Sequence, residues 1–338
     1  MKYDVVTIGD AFEDIFVFPS DLHVKRDRTF TGGYGVSFEL GEKIPLSEVE
    51  YEIGGSACNA SVGFSRLGLS ASLISITGED SPAEKIKSRL SSESVDLSNI
   101  KIDKKMKTNF STIFSLPEGR TIFTYHGLKD YSQLRVKKSL HSKWFFLAPF
   151  GDGTEEIEKD LIAKVSEENS ILAWNPGTLQ IKKGASRFRN LLKNTSVLFL
   201  NREEAIKFIN YPVRPREEET LKKLYSFGPR LVVITNGKEG AKAYDGNNIY
   251  GINALKNLDV VDPTGAGDSF ATGMLAKLLS CDWNSISDSD CISKALKWGI
   301  ANSSSVIKYV GGQKGLLTKN EIEKTVKDNP RLKVEINS

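Results

Sequence analysis

The chain has 338 residues, 39% hydrophobic and 26% charged, enough for one large α/β domain or two modest ones with a full core. Its 46 basic and 43 acidic residues leave a net charge of +3, too balanced to draw the chain to nucleic acid. No apolar run approaches the ~20 residues of a membrane span, and the acids inside "MKYDVVTIGDAFEDIF" argue against a signal peptide.

The first predicted element, "YDVVTIG" (3–9), is a β-branched run that reads as a buried strand. Asp10 and Asp14 follow directly in "DAFED". The Asp14 carboxylate can accept hydrogen bonds from two neighbouring sugar hydroxyls, and Asp10 is a second candidate; either can equally cap a turn. Residues 18–53 then lose all helical periodicity and become glycine-rich. In "EIGGSACNASVGFSRLG" (52–68), Gly54 and Gly55 permit close backbone approach to a ligand, and Asn59 opens the next helix with an amide that donates and accepts. A purely structural GG-to-helix turn is the plainer alternative.

"ASLISITG" (71–78) reads as a strand and "PAEKIKSRLSSES" (82–94) as a helix. Within 108–125, "TNFSTIFSL" and "TIFTY" flank the turn-like "PEGR". Phe110, Phe114 and Leu116 alternate onto one side of the first strand, as a hairpin with one wet face requires. The basic cluster "RVKKSLHSK" (135–143) reads as a solvated helix face. Further strands are expected at 143–150, 170–176, 196–201 and 230–237. "EEIEKDLIAKVSEEN" (155–169) places Ile157, Leu161, Ile162 and Val165 on one helix face. Alternating strand and helix predicts a mainly parallel sheet covered on both sides by helices. Segments 18–53 and 108–125 can meet as a small sheet standing off it.

Cys58, Cys281 and Cys291 show no CxxC spacing, so neither a zinc site nor a disulfide framework is expected, and a reducing cytoplasm fits. His23, His126 and His141 are scattered, none at metal-ligand spacing with another His or Cys.

Two late motifs can carry chemistry. "NREEA" (201–205) follows a buried strand, where open α/β sheets bind ligands. Asn201 and Glu204 there can hold water around Mg²⁺, or simply cap a helix. In "DPTGAGDSF" (262–270), Gly265 and Gly267 let backbone amides converge on an anion. Phe270, Met274 and Leu278 form one row, so a helix starts near Asp268. A helix N-terminus adds unpaired N–H groups and partial positive charge. A carboxylate at Asp268 repels such an anion unless it caps the helix or serves as a base toward an attacking nucleophile. The turn matches neither GxxxxGK[ST] nor GxGxxG.

The order "GDAFED", "GGSACNASVGFSRLG", "NREEA", "TNGKEGA", "DPTGAGDSFATG" resembles the ribokinase-like (PfkB) sugar kinase family over residues 3 to about 318. The resemblance implies a single ribokinase-like three-layer α/β/α domain over 1–338, with a mainly parallel central sheet. It also implies a small β-sheet lid built from about 18–53 and 108–125. It implies ATP-dependent phosphorylation of a sugar hydroxyl, with Mg²⁺. Asp268 then matches the catalytic base, and the amides of Gly265, Ala266 and Gly267 the anion hole. Asn201 and Glu204 match the element associated with Mg²⁺ and phosphate. Thr235 and Gly237 match the segment along the nucleotide phosphates, and Asn302 a position flanking the adenine. Asp14, Gly55 and Asn59 fall where sugar hydroxyls are bound, beside Gly54. Asp262 and the Thr264 carbonyl correspond to positions that hold K⁺ in some members.

Two positions depart from ribokinases proper: Phe12 stands for an Asn and Ser56 for a Lys. They argue against ribose, and Phe12 can stack on a flatter ligand. An adenosine-like nucleoside is the alternative acceptor, since adenosine kinase-like members share a related GG–N turn. A binding protein that lost catalysis is disfavoured by the intact Asp268, Gly265, Gly267 and Glu204. In several relatives the lid is also a homodimer surface; neither nucleic acid nor membrane is an expected partner.

Overall fold

Strand β1 (Lys2–Ile8) is followed by β2 (Phe12–Pro19), β3 (Val24–Arg26), β4 (Tyr34–Val36) and β5 (Leu46–Gly54). Helices α1 (Ser56–Arg66) and α2 (Ser81–Ser92) flank β6 (Ala71–Thr77), and β7 (Ile100–Ile102) precedes the hairpin β8 (Asn109–Leu116) and β9 (Gly119–Tyr125). The middle of the chain alternates β10 (His141–Leu147), α3 (Glu155–Glu168), β11 (Ile171–Trp174), α4 (Thr178–Lys183), α5 (Arg189–Asn194), β12 (Val197–Asn201) and α6 (Arg202–Phe208). After α7 (Glu217–Tyr225) come β13 (Leu231–Thr235), β14 (Ala241–Tyr244), β15 (Ile249–Ile252), α8 (Ala266–Leu279), α9 (Ser289–Val306), α10 (Lys319–Asp328) and β16 (Val334–Asn337). These elements come from a computed structural model that describes residues 2–20, 22, 24–30, 33–117, 119–127, 130–211, 215–281 and 288–337. His23 and Glu118 of the "PEGR" turn lie outside the described residues.

The main sheet runs β7-β6-β1-β10-β11-β12-β13-β14-β15-β16. Its pairings are parallel from β7 to β13 and antiparallel beyond. Neighbouring strand residues feed opposite cores: Val5, Trp144 and Phe146 pack with α1, α8 and α9, whereas Val6, Phe145 and Leu147 pack with α3, α5 and α7. Strands buried on both faces need continuous apolar runs, which is why these segments show no polar alternation. The result is the expected three-layer α/β/α arrangement.

The lid is a four-stranded sheet, β5-β2-β8-β9, in which β2 pairs in parallel with β8 and antiparallel with β5. It begins at Phe12, upstream of the expected boundary. The hairpin is present, but its faces are inverted relative to the simplest reading of the alternation. Asn109, Ser111 and Ile113 are the buried residues of β8. Phe110 and Phe114 lie on the outer face, where they pack against Tyr125 and Phe123. Asn109 and Ser111 are buried because they donate to the buried carboxylates of Asp10 and Asp14, and Ile113 joins them on that face.

Two further expectations are corrected. Residues 135–143 form no helix; they run as turns into β10, with Val136 and Leu140 buried and Arg135 paired to Asp160. Cys281 and Cys291 form a disulfide across 10 positions, tying the end of α8 to α9, while Cys58 is a buried free thiol. Spacing alone did not reveal the pair because the fold, not a CxxC turn, brings the two together. Among the described residues no helix is long and apolar enough to cross a membrane.

Candidate active site

Four neighbouring parallel strands deliver residues to one cavity of about 360 Å³: Pro149 beyond β10, Asn175 beyond β11, Asn201 ending β12 and Thr235 ending β13. Carboxyl ends of parallel strands are where open sheets place ligands. The start of α8 closes the cavity below, and lid residues Asp14 and Arg120 close it above.

The turn before α8 is built around Gly265, whose φ of +74° places it in the left-handed region. A Cβ there would sit 2.5 Å from Gly312 Cα, so only glycine fits. No side chain caps α8. Its first-turn amides, from Ala266 to Asp268, are therefore available to an anion, apart from a long 3.3 Å bond from Ala266 N to the Pro263 carbonyl. The cap reading of Asp268 fails on this geometry, because its carboxylate turns to α1, where Oδ2 accepts from Asn59 Nδ2 at 3.0 Å. Burial pushes the Asp268 carboxyl up, and hydrogen bonds from Asn59 and Ser56 pull it back. A buried carboxylate with raised proton affinity beside an anion site suits a general base.

Asp14 lines the same cavity and is pushed up to about 6, chiefly by burial, with Ser111 and Arg120 opposing and Asp262 and Asp268 reinforcing. Ser111 donates to its Oδ1. Gly54 is required behind it, since a Cβ there would lie 1.8 Å from Asp14 Oδ2. Gly54 itself does not line the cavity, whereas Gly55, Ser56 and Asn59 do.

Asn201 and Glu204 form a reciprocal capping box, each bonding the other's backbone N–H at 2.9 Å, and both also line the cavity. Burial raises Glu204, Asn201 opposes the rise, and the Asp268 charge adds to it. Among the described residues no group of three or more His, Cys, Asp or Glu side chains can hold a metal alone. A Mg²⁺ carried on nucleotide phosphates needs only one or two protein oxygens and water, which Glu204 and Asn201 can supply.

A second, larger cavity of about 740 Å³ adjoins the first and is lined mainly by apolar groups, among them Leu255, Leu258, Phe270, Ile300 and Ile307. The two share Thr235, Pro263, Ala266 and Gly267, so they meet at the anion turn. Gly237 lines the second cavity. Three sequence candidates sit elsewhere. Asn302 is fully buried, bridging the Ser269 carbonyl at 2.8 Å and Leu317 N at 3.0 Å, and its neighbours Ser303 and Ser304 face the cavity in its place. Asp10 lies in the connection between β1 and β2, where Tyr131 and Asn109 donate to it, and burial pushes it up to about 7. Phe12 packs edge-on against His126 and does not line the cavity.

Asp262 accepts from Thr264 N at 3.0 Å, Thr264 Oγ1 at 2.7 Å, Gly311 N at 3.0 Å and the Arg120 guanidinium. Protein donors thus occupy the carboxylate assigned by resemblance to K⁺. Arg120 went unnoticed in the sequence because a lone Arg in a turn carries no motif. Only pairing of β9 with β8 swings it over the cavity.

The sequence matches the family described as "pfkB family carbohydrate kinase" over residues 33–319. It is 27% identical over 286 residues to a protein named probable fructokinase-6, chloroplastic, of Arabidopsis thaliana, covering 81% of this chain and 74% of that one. It is 26% identical to the 5-dehydro-2-deoxygluconokinase of Halalkalibacterium halodurans, covering 98% and 97%. Among solved structures, the Methanocaldococcus jannaschii nucleoside kinase superposes with a TM-score of 0.75 at 21% identity, covering 96% of this chain and 98% of that one. The Arabidopsis thaliana ribokinase complexed with ribose and ATP gives 0.76 at 18% identity, covering 97% and 99%.

Proposed function

We propose that this chain, which belongs to the pfkB carbohydrate kinase family, transfers the γ-phosphoryl group of ATP to a hydroxyl of a small sugar. The observation that carries the reading is the meeting of two unlike cavities at an uncapped helix N-terminus with a buried carboxylate beside it. The apolar cavity suits a purine, the polar one a polyol, and the Gly265–Gly267 turn between them the phosphoryl group in transit.

Asp14 and Asn59 orient the acceptor, and Asp268 takes the proton from the attacking hydroxyl. The Gly265, Ala266 and Gly267 amides stabilise charge as the phosphoryl group moves in line. Thr235 and Gly237 lie along the phosphates. Mg²⁺, held by the nucleotide with Glu204 and Asn201 reaching it through water, would neutralise phosphate charge. The closed lid excludes water, which protects ATP from hydrolysis. The lid's outer aromatic patch, with Phe123 54% and Tyr125 43% exposed, is the surface a second copy would cover. Light scattering of the intact chain tests that homodimer. A cytoplasmic location rests on ATP use alone, because the Cys281–Cys291 disulfide removes the cysteine argument for a reducing compartment.

A sugar is favoured over a nucleoside because, among the described residues, Phe199 is the one aromatic lining the acceptor cavity, and a flat base needs an apolar or aromatic face. A panel of neutral sugars, sugar acids and nucleosides, read by coupled ADP release, decides the matter. A nucleoside as best acceptor would replace the sugar reading, and ATP binding with no turnover on any acceptor would replace both.

A further inference from the structure

Gln313 belongs to no motif singled out in the sequence and lines neither cavity, yet its side chain is 1% exposed in the connection between α9 and α10. It is the middle link in a hydrogen-bond chain that draws on four parts of the fold. Arg89 Nε, on α2, donates to Gln313 Oε1 at 3.1 Å. Gln313 Nε2 donates to Asn59 Oδ1 at 3.1 Å, and Asn59 Nδ2 donates to Asp268 Oδ2 at 3.0 Å. The connection is itself clamped, because Arg66 NH1 donates to the Gln313 and Leu316 carbonyls at 2.9 Å and Arg66 shares Glu93 with Arg89. Gly312 packs so tightly on Asn59 that a Cβ there would lie 2.5 Å from Asn59 Nδ2.

The two ends of the chain fix its direction. A guanidinium only donates and a carboxylate only accepts, so each amide between them has one orientation that satisfies both neighbours. Asp268 alone holds Asn59 in this orientation only while it is ionised; once Asp268 is protonated, Asn59 could turn its oxygen toward it, and the Gln313 donor to Asn59 Oδ1 opposes that turn. We propose that Gln313 is a positioning residue for the catalytic base: pinned by Arg89, it holds the Asn59 NH₂ on Asp268 Oδ2 and leaves the other carboxylate oxygen for the acceptor hydroxyl. The proposal rests on the reading of Asp268 as that base. Also facing Asp268 are Ser56, which donates to it, Asp14 and Glu204, whose charges act against its own, and the buried Cys58 thiol, which Asp268 helps hold protonated. Arg120 and Asp262 pair with each other on the lid side, and of all these groups Gln313 bonds only the Cys58 sulfur.

The test uses Gln313→Glu and Gln313→Met in the full chain, beside Asp268→Asn. Glutamate keeps a partner for Arg89 but cannot donate to Asn59 Oδ1, so the Asn59 amide inverts and turns its oxygen to Asp268. Turnover is expected to fall roughly 10- to 100-fold, the scale of a misplaced reacting group, with both KM values little changed. The acid limb of the kcat/KM profile should move up by roughly half a pH unit or more, because the lost Asn59 donor and the new carboxylate at position 313 both make Asp268 hold its proton more tightly, and the methionine variant, which adds no charge, isolates the donor's share. Methionine removes all three side-chain bonds of Gln313, to Arg89, Asn59 and the Cys58 sulfur, at similar volume and should lower kcat with a smaller shift of the limb. If glutamate blocks folding, as thermal denaturation would reveal, methionine carries the test. Wild-type kcat and an unmoved acid limb in a folded Gln313 variant, with Asp268→Asn inactive, would reduce Gln313 to packing. Full turnover by Asp268→Asn would instead remove the base reading, and this proposal with it.

Discussion

Replacing Arg120 by methionine keeps much of the side-chain length and removes the guanidinium that joins lid strand β9 to the turn before α8. Asp262, 5% exposed, loses one of its donors and keeps Thr264 N, Thr264 Oγ1 and Gly311 N. The carboxylate is therefore not stranded, and although Thr264 Oγ1 loses its Arg120 donor too, the loss sits nearer the ~1.5–3 kcal/mol of a charged hydrogen bond than the ~3–5 kcal/mol of an uncompensated buried charge. The lid keeps a second clasp, where Lys314 pairs with Glu50 and Glu52 of β5. If lid closure over the acceptor bears the whole loss, acceptor KM rises roughly 10- to 100-fold at ~1.4 kcal/mol per decade. ADP formed without acceptor should rise relative to productive transfer, as water gains entry. Coupled ADP release measured with and without acceptor reads both quantities. An acceptor KM within about twofold of wild type, in a folded variant, would show that the Arg120–Asp262 pair holds nothing the reaction needs.

Asp268→Asn should lower turnover by at least about a hundredfold while acceptor binding, measured by calorimetry, persists. In the wild type, kcat/KM should fall on the acid side from a pH above the ordinary carboxylate range, since burial raises Asp268 and the base works only deprotonated; a profile flat down to about pH 4.5 would contradict this. The glycines of the turn should separate. Gly265→Ala meets Gly312 backbone at 2.5 Å and should lower the melting temperature, whereas Gly267→Ala meets nothing within 4 Å, so it should fold normally and obstruct phosphoryl transfer. Asp10, raised to about 7 by burial, binds its proton more tightly folded than unfolded. Its contribution to stability is present at low pH and lost as pH climbs from about 4 to about 7, on the order of 3–4 kcal/mol. Asp10→Asn accepts the same donations from Asn109 and Tyr131 without that loss, so its melting temperature relative to wild type should rise between pH 5 and pH 8; equal slopes would refute the assignment.

The sequence by itself determined the six central strands, the helices after β5, β6 and β10 and the place of the glycine turn before α8, but not α4 and α5. Those features are local: a strand buried on both faces must be a short apolar run, and an uncapped helix start with two glycines is contiguous in the chain. Alternation in β8 likewise told which residues share a face, but not which face is inside. Only the tertiary structure decided that, because Ser111 and Asn109 are buried against the Asp14 and Asp10 carboxylates while Phe110 and Phe114 face out. The same holds for Asp10 and Asn302, whose residue types suit a ligand but whose partners are other parts of the chain. Arg120 and Gln313 were invisible for the converse reason. Arg120 reaches Asp262 across 142 positions, and Gln313 reaches Asn59 across 254, separations at which no local spacing rule carries information. What holds the Asp268 carboxylate in place is therefore a property of packing between distant segments, while its presence beside the glycine turn is a property of nine consecutive residues.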